Sequence, residues 1–227
     1  MSRTHAMRTF DEIFAIAASR KGGADALDAM LAPPKSEAEL AAIADDRWLA
    51  AMTKCIFQAG FNWKVVESMW PGFEAAFEGF DTGRCAMLTD EDFERLVSDT
   101  RIVRHGAKIR AVQENALFLQ TLAAEAGSAA IAIARWPSSD YIGLLDVLKK
   151  RGSRLGGTTG QYCLRSQGKD SFILSQSVVD RLIAEGVVET QPTSKKALAD
   201  VQSAFNVWSE QSGRSLTEIS RVLAMSL

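Results

Sequence analysis

Four times along this chain a Ser or Thr is followed three residues later by a carboxylate, at the head of an amphipathic run: Thr9 with Glu12, Ser36 with Glu39, Thr89 with Asp92, and Ser215 with Glu218. Each hydroxyl can accept the N–H of the third helical residue while the carboxylate reaches back to the N–H of the cap, so both halves of a helix start are encoded together. Between these starts, Lys21-Gly22-Gly23, Ala32-Pro33-Pro34-Lys35, Trp70-Pro71-Gly72, Asp81-Thr82-Gly83 and Trp136-Pro137-Ser138-Ser139 read as turns or breakers, with Pro71 suited to a first helical turn. Only Val187-Val188 and Phe172-Ile173-Leu174 have strand-like composition, and neither has an evident pairing partner. The pattern predicts an all-α fold of about ten helices of modest length, with no repeat period.

With 47% apolar residues in a chain of 227, one large core or two small ones can be buried, and a two-lobed body is expected. No apolar run approaches the ~20 residues that cross a bilayer, and Met1 to Arg8 leads into an amphipathic pattern instead of a signal core. A cytoplasmic protein without membrane association is expected. Cys55, Cys85 and Cys163 are odd in number and far apart, which gives neither a disulfide framework nor a CxxC metal site and leaves buried packing as their role.

The net charge of −2 argues, taken whole, against a nucleic-acid partner, but the charge is segregated. Arg101, Arg104, Lys108 and Arg110 occupy a stretch without acids, and so do Lys149, Lys150, Arg151 and Arg154. Removing those eight from the 26 basic residues leaves 18 against 28 acidic ones. An acidic body with two basic segments fits contact with a polyanion along one edge. Gathering of cations at helix C-termini under the macrodipole is the alternative. Each basic segment lies in a helix, a Gly-bearing hairpin and a second helix. In the second hairpin Gly152, Gly156 and Gly157 permit a tight turn, and a helix starting at Thr158 offers its positive end to an anion.

Three segments, Phe57-Gln58-Ala59-Gly60-Phe61-Asn62-Trp63, then Leu96-Val97-Ser98-Asp99-Thr100-Arg101-Ile102-Val103-Arg104-His105-Gly106-Ala107-Lys108-Ile109, then Lys149-Lys150-Arg151-Gly152-Ser153-Arg154-Leu155-Gly156-Gly157-Thr158-Thr159, resemble in this order the DNA-3-methyladenine glycosylase I family of helix-hairpin-helix base-excision enzymes. The resemblance covers roughly residues 46 to 185. It implies the two-lobed helix-hairpin-helix glycosylase fold as one unit over 1–227, with lobe one from approximately 1–45 plus 186–227 and the helices of 46–80, and the hairpin lobe from approximately 81–185. It implies a monofunctional DNA N-glycosylase that removes alkylated, 3-methyladenine-like purines in base-excision repair, works as a monomer, and has double-stranded DNA containing a damaged base as its partner.

By the same resemblance Gln58 fills the gap left by the extruded nucleotide, beside Gly60 as helix terminator, while Phe61 is the wedge and Ile102 approaches the opposite strand. Phe57 and Phe61, four residues apart, can equally be core anchors on one helical face. Arg104, His105, Lys108, Gly152, Arg154, Gly156, Gly157 and Thr158 fall on the DNA backbone. A general-base role for His105 remains open on chemical grounds. Trp63 and Thr159 line the base pocket, although Trp63 can also pack beneath the turn. Thr159 stands where lyase-active relatives carry a nucleophilic Lys, so Schiff-base chemistry is not expected.

Two departures matter. Cys55 occupies the place of the family's base-reading Glu, and Gln176 falls about where the wider superfamily has its catalytic Asp. The chain can therefore also be a lesion-binding module without chemistry, or a protein-interaction domain using the apolar stripe Phe205, Trp208, Leu216, Ile219 and Leu223. That stripe can also close the core of the first lobe. The family's zinc-binding members use Cys and His from an N-terminal segment and a pair near the end of the second lobe. Here that pair's place reads Gln176-Ser177-Val178-Val179, and neither metal nor other cofactor is expected. Metal analysis of the purified chain should find no stoichiometric zinc; one tightly held zinc per chain would overturn this reading of the second lobe.

Overall fold

The computed structural model describes residues 7–227, and among them the chain is helical with no strand. In chain order the helices are α1 (Phe10–Lys21), α2 (Ala24–Asp28), α3 (Glu37–Ala41), α4 (Asp45–Gln58), α5 (Trp63–Ser68), α6 (Trp70–Ala76), α7 (Thr82–Ala86), α8 (Asp90–Ser98), α9 (Gly106–Ala126), α10 (Ala129–Ala134), α11 (Tyr141–Arg151), α12 (Thr158–Gln167), α13 (Gln176–Ala184), α14 (Lys195–Ser212) and α15 (Leu216–Met225). All four capping boxes form, at the starts of α1, α3, α8 and α15. Gly22 and Gly213 close α1 and α14 in the left-handed conformation, where a side chain would be strained. Among the described residues no helix is long and apolar enough to cross a membrane.

Two compact units emerge. One comprises residues 7–35, Pro137–Gly143 and Gly168–Leu227; the other Ser36–Trp136 and Leu144–Gln167. The helices of 46–80, expected with the termini, group instead with 81–136. The reason is α9, whose 21 residues bury Ile109, Val112, Ala116 and Leu119 at helical spacing against α4, α7 and α10. Residues 168–185, expected in the hairpin lobe, belong with the termini.

The α9 unit is filled by Trp48, Met52, Ile56 and Phe57 of α4 and by a run of rings in which Trp70 stacks on Phe73 at 5.3 Å and on Phe80 at 5.5 Å. Phe57 meets Phe73 edge-on at 4.7 Å, which fixes the end of α4 against that run. At the other end of α4, Asp45 accepts the N–H groups of Ala129 and Ala130 at 3.2 and 3.1 Å and so caps α10.

In the terminal unit Phe172 and Phe205 stack at 4.4 Å, with Trp208 edge-on to Phe205 at 5.7 Å. Phe205, Trp208, Leu216, Ile219 and Leu223 are all buried, so the stripe is core and leaves no apolar surface for a partner. The segment around Phe172 is extended yet joins no sheet. Ser171 N–H donates to Thr217 Oγ1 at 3.1 Å and Ile173 N–H to Ser220 Oγ at 3.1 Å, so hydroxyls of α15 do the work of a neighbouring strand.

The same unit buries an ion pair. Arg181 donates to Glu185 at 3.1 Å and to the Ser226 hydroxyl and carbonyl at 2.8 and 2.6 Å, while Arg8 reaches Glu185 at 2.9 Å. The Arg181 and Glu185 side chains are 6% and 1% exposed. Arg181→Met removes the internal partner of a buried carboxylate and should cost about 3–5 kcal/mol in urea unfolding, with the Arg181→Met, Glu185→Met double variant less destabilised than the single one. A loss below about 1 kcal/mol would show a pair that water screens in solution.

Candidate functional site

Helix α4 ends where the sequence places its family-like motif. After Gln58 the chain passes through Ala59 (φ −64°, ψ 113°) and Gly60 (φ +76°), and the Gln58 carbonyl accepts Phe61 N–H at 3.2 Å. These are the φ values of a type II turn, whose third residue requires the left-handed region and so favours glycine. The carbonyls a helix leaves unpaired at its C-terminus would face this turn without partners. Lys108, from the first turn of α9, supplies one: its ammonium donates to Phe57 O at 3.3 Å and Ala59 O at 2.6 Å and lies 4.4 Å from the centre of the Phe61 ring. Burial, with the Arg154 guanidinium nearby, holds this ammonium below the ordinary lysine range. Lys108, expected on the DNA backbone, is 6% exposed, and its ammonium holds the turn.

Beside that turn lies a cavity of ≈ 200 Å³ between α4 and α12. Cys55 and Gln58 line it from α4, Trp63 from α5, and Thr158, Thr159 and Tyr162 from α12. Trp63 and Tyr162 meet edge to face at 5.5 Å, both partly exposed. No lining residue is acidic. Cys55 takes a hydrogen bond from Cys163, which lowers its pKa against the opposing effect of burial, with Ser166 and Lys54 also favouring the thiolate. Cys163, fully enclosed, is pushed up by its donation to Cys55 and by burial. Tyr162 was missed in the sequence; its spacing of four from Thr158 and three from Thr159 on one helical face is the signal that could have found it.

The remaining expected residues divide. Phe61 is 40% exposed and meets His105 edge-on at 6.2 Å, leaving its ring available at the surface. Gln58 is buried, faces the cavity and donates to Glu67 at 3.4 Å, so it does not project as a plug in this conformation. Ile102 is 2% exposed in the core and cannot approach an opposite strand. His105 caps α9, its Nδ1 accepting Lys108 N–H at 3.4 Å. Gln176 opens α13 in the terminal unit, exposed and donating to Asp180 at 2.7 Å. Among the described residues no cluster of His, Cys, Asp and Glu could hold a metal; His5 lies outside them.

The second hairpin is held by a residue the sequence did not advertise. Asn115, buried on α9, donates to Ser153 O at 3.0 Å and accepts Ser153 N–H at 2.8 Å. Gly152 donates to Leu148 O at 3.1 Å, and a Cβ there would stand 2.7 Å from that oxygen, so this glycine serves close packing and its N–H is unavailable to a phosphate. Arg154 takes φ +58°, rare for a side-chain-bearing residue, and turns the chain toward Gly156 and Gly157, whose N–H groups carry no hydrogen bond among the described residues. Gly160 of α12 would place a Cβ 2.4 Å from Leu155 O, so only glycine lets α12 approach the hairpin this closely.

Several cations of the two basic segments are spent internally. Arg101 is bidentate on Asp99, Lys150 pairs with Asp146 at 2.6 Å, Arg151 with Glu125 at 2.6 Å, and Arg110 stacks over Phe93 at 4.3 Å. Arg104, Lys149 and Arg154 are exposed without an ion pair among the described residues.

The family model of methyladenine glycosylase matches residues 41–142. DNA-3-methyladenine glycosylase 1 of Escherichia coli (strain K12) is 42% identical over 59 residues, which are 26% of this chain and 32% of that protein; the match spans about a third of that relative. A crystal structure of a 3-methyladenine DNA glycosylase I aligns with 62% of this chain and 84% of its own, at 26% identity and TM-score 0.48. That of the Staphylococcus aureus 3-methyladenine DNA glycosylase I aligns with 55% and 77%, at 19% and 0.47. The match runs from α3 into the start of α11 and includes the α4 turn, Cys55, Trp63 and the first hairpin, but not α12. Over residues 41–142 the chain is thus similar to the methyladenine glycosylase family.

Proposed function

We propose that the chain is a monofunctional DNA N-glycosylase that takes an alkylated purine of the 3-methyladenine type out of duplex DNA and cleaves its N-glycosidic bond. The observation that carries this reading is the small cavity walled by Trp63 and Tyr162 directly behind the Gln58 to Phe61 turn. A base leaving the stack costs a few kcal/mol, and an exposed ring such as Phe61 offsets part of it by stacking in the vacated step. Two rings at the cavity mouth then give the extruded base a surface to rest on.

The chemistry expected of so neutral a cavity follows from the leaving group. Cleaving an ordinary glycosidic bond needs an acid for the base and a carboxylate for the oxocarbenium-like sugar. A purine alkylated at N3 already carries positive charge and departs without protonation, so extrusion and orientation supply much of the rate. Thr158, Thr159 and the Gln58 amide can orient the base and a water by hydrogen bonds. The partner is double-stranded DNA, met by Arg104, Lys149, Arg154 and the Gly156 and Gly157 N–H groups, and the working form is a monomer. Gln176 contributes no role to this scheme.

The thiol of Cys55 cannot hold a base cation as a carboxylate would. Cys55→Glu is therefore expected to raise release of 3-methyladenine from alkylated duplex, with Cys55→Ala close to the parent; the assay is base release by chromatography. Lower release in Cys55→Glu would mean a cavity built for a different base, and equal rates in all three would remove Cys55 from the reacting site. Tight binding to an abasic-site duplex with no release in any of them would favour a lesion-binding module.

Among the described residues Arg104, Lys149 and Arg154 are the exposed cations of the basic segments with neither an acid nor a ring as partner, Arg110 being stacked on Phe93. Each phosphate neutralised contributes about −0.9 to the slope of log K against log salt, so duplex binding should show a slope of about −3, far from the about −7 of eight contacts. Arg104→Ala or Arg154→Ala should flatten it by about one unit each with unchanged helix content. Unaltered affinity and slope in both would exclude the hairpins from the DNA interface.

A further inference from the structure

A second cavity, ≈ 250 Å³, lies next to the first and shares two of its wall residues, Ala59 and Thr159. Its other lining is Ile56, Lys108, Arg154 and Gly156. The contrast in character is sharp. The first cavity has two aromatic rings and no charge; the second has two cations and no acid.

Among the described residues the charges of the second cavity have no counter-ion. Lys108 gives hydrogen bonds only to neutral carbonyls, and its ammonium is destabilised by its enclosure and by Arg154. Arg154 has no ion pair among the described residues and is held at φ +58°, which turns the hairpin at the cavity. Among the described residues the N–H groups of Gly156 and Gly157 carry no hydrogen bond, and α12 begins just beyond with the positive end of its dipole. One buried and one exposed cation, the Gly156 amide and a helix start beside one opening ask for an anion with several oxygens. Neither cavity alone reaches the about 300 Å³ at which small-molecule sites begin, while the two together do.

We propose that the adjoining cavities form one cleft for a single nucleoside phosphate, with the phosphate between Lys108 and Arg154 and the base against Trp63 and Tyr162. This deepens the reading given above by naming the ligand as a whole nucleotide instead of a base alone, and it rests on that reading only for the base side. The nucleotide is either free or still part of a strand, and both present the same chemistry to the cleft. An arriving phosphate also raises the Lys108 pKa, since a nearby anion favours the ammonium, so binding in alkaline buffer takes up protons.

Calorimetry with adenosine 5′-monophosphate, adenosine and inorganic phosphate tests this on the full chain. The monophosphate should bind at least about tenfold tighter than adenosine, a difference worth about 1.4 kcal/mol. Arg154→Gly keeps the left-handed backbone and removes the cation; it should abolish that advantage while leaving adenosine binding unchanged. Trp63→Ala should weaken both ligands and spare inorganic phosphate. Monophosphate binding no tighter than adenosine, or an advantage that survives Arg154→Gly, overturns the proposal. Competition by duplex DNA bearing an abasic site separates the sources: displacement of the monophosphate assigns the cleft to a nucleotide within a strand, and simultaneous binding assigns it to a free one. Duplex binding and base release without any monophosphate preference would sink the cleft alone, whereas the preference without duplex binding would sink the glycosylase reading alone.

Discussion

One ammonium group organises this site. Lys108 leaves α9 in its first turn and places its charge on the last carbonyls of α4, so the end of the helix that carries Cys55 and Gln58 is tied to the start of the helix that follows the first hairpin. A cation at a helix C-terminus is favoured by both the unpaired carbonyls and the dipole. The Phe57 and Phe61 ring centres lie 5.8 and 4.4 Å from the ammonium, and its burial makes the charge costly to hold. The turn that presents Phe61 is therefore fixed by contacts within the fold. Preorganisation of that kind lowers the ordering cost of extrusion.

The hairpins show a different economy. Segregation of charge in the sequence suggested eight phosphate contacts, yet most of these side chains are engaged within the fold. What is left without an internal partner among the described residues is sparse: Arg104, Lys149, Arg154 and two glycine amides before α12. A surface of that sort depends less on bulk attraction than on where each donor points, and it suits a protein whose acidic body would otherwise be repelled by a polyanion.

How much of this could be read from residues alone depended on range. The capping boxes are complete within four residues, and all four were legible. The Phe57 to Trp63 turn was legible for the same reason, since helix end, glycine and following cap are neighbours. Lys150 pairs with Asp146 one helical turn away, which the sequence displays, but Arg151 pairs with Glu125 across 26 positions, which it does not. Asn115, Tyr162 and the true partner of Lys108 share that second difficulty: each acquires its role only when α4, α9 and α12 meet. The division into units failed for the same cause, because the length of α9 shows how much it can bury but not which helices it gathers. Ile102 sits among hairpin residues in sequence and among core residues in space, and its apolar side chain decides in favour of the core.

The close approach at Gly160 carries a consequence for how such a cavity changes over generations. The wall formed by α12 stands where it does because one residue facing away from the chemistry has a hydrogen atom in place of a methyl group. Replacing that hydrogen would displace the whole wall while every lining side chain kept its identity. The chemical character of the cavity and its dimensions are thus written at different addresses in the chain. A lineage can resize its ligand without touching a functional residue, and two members with identical lining can differ in what they admit.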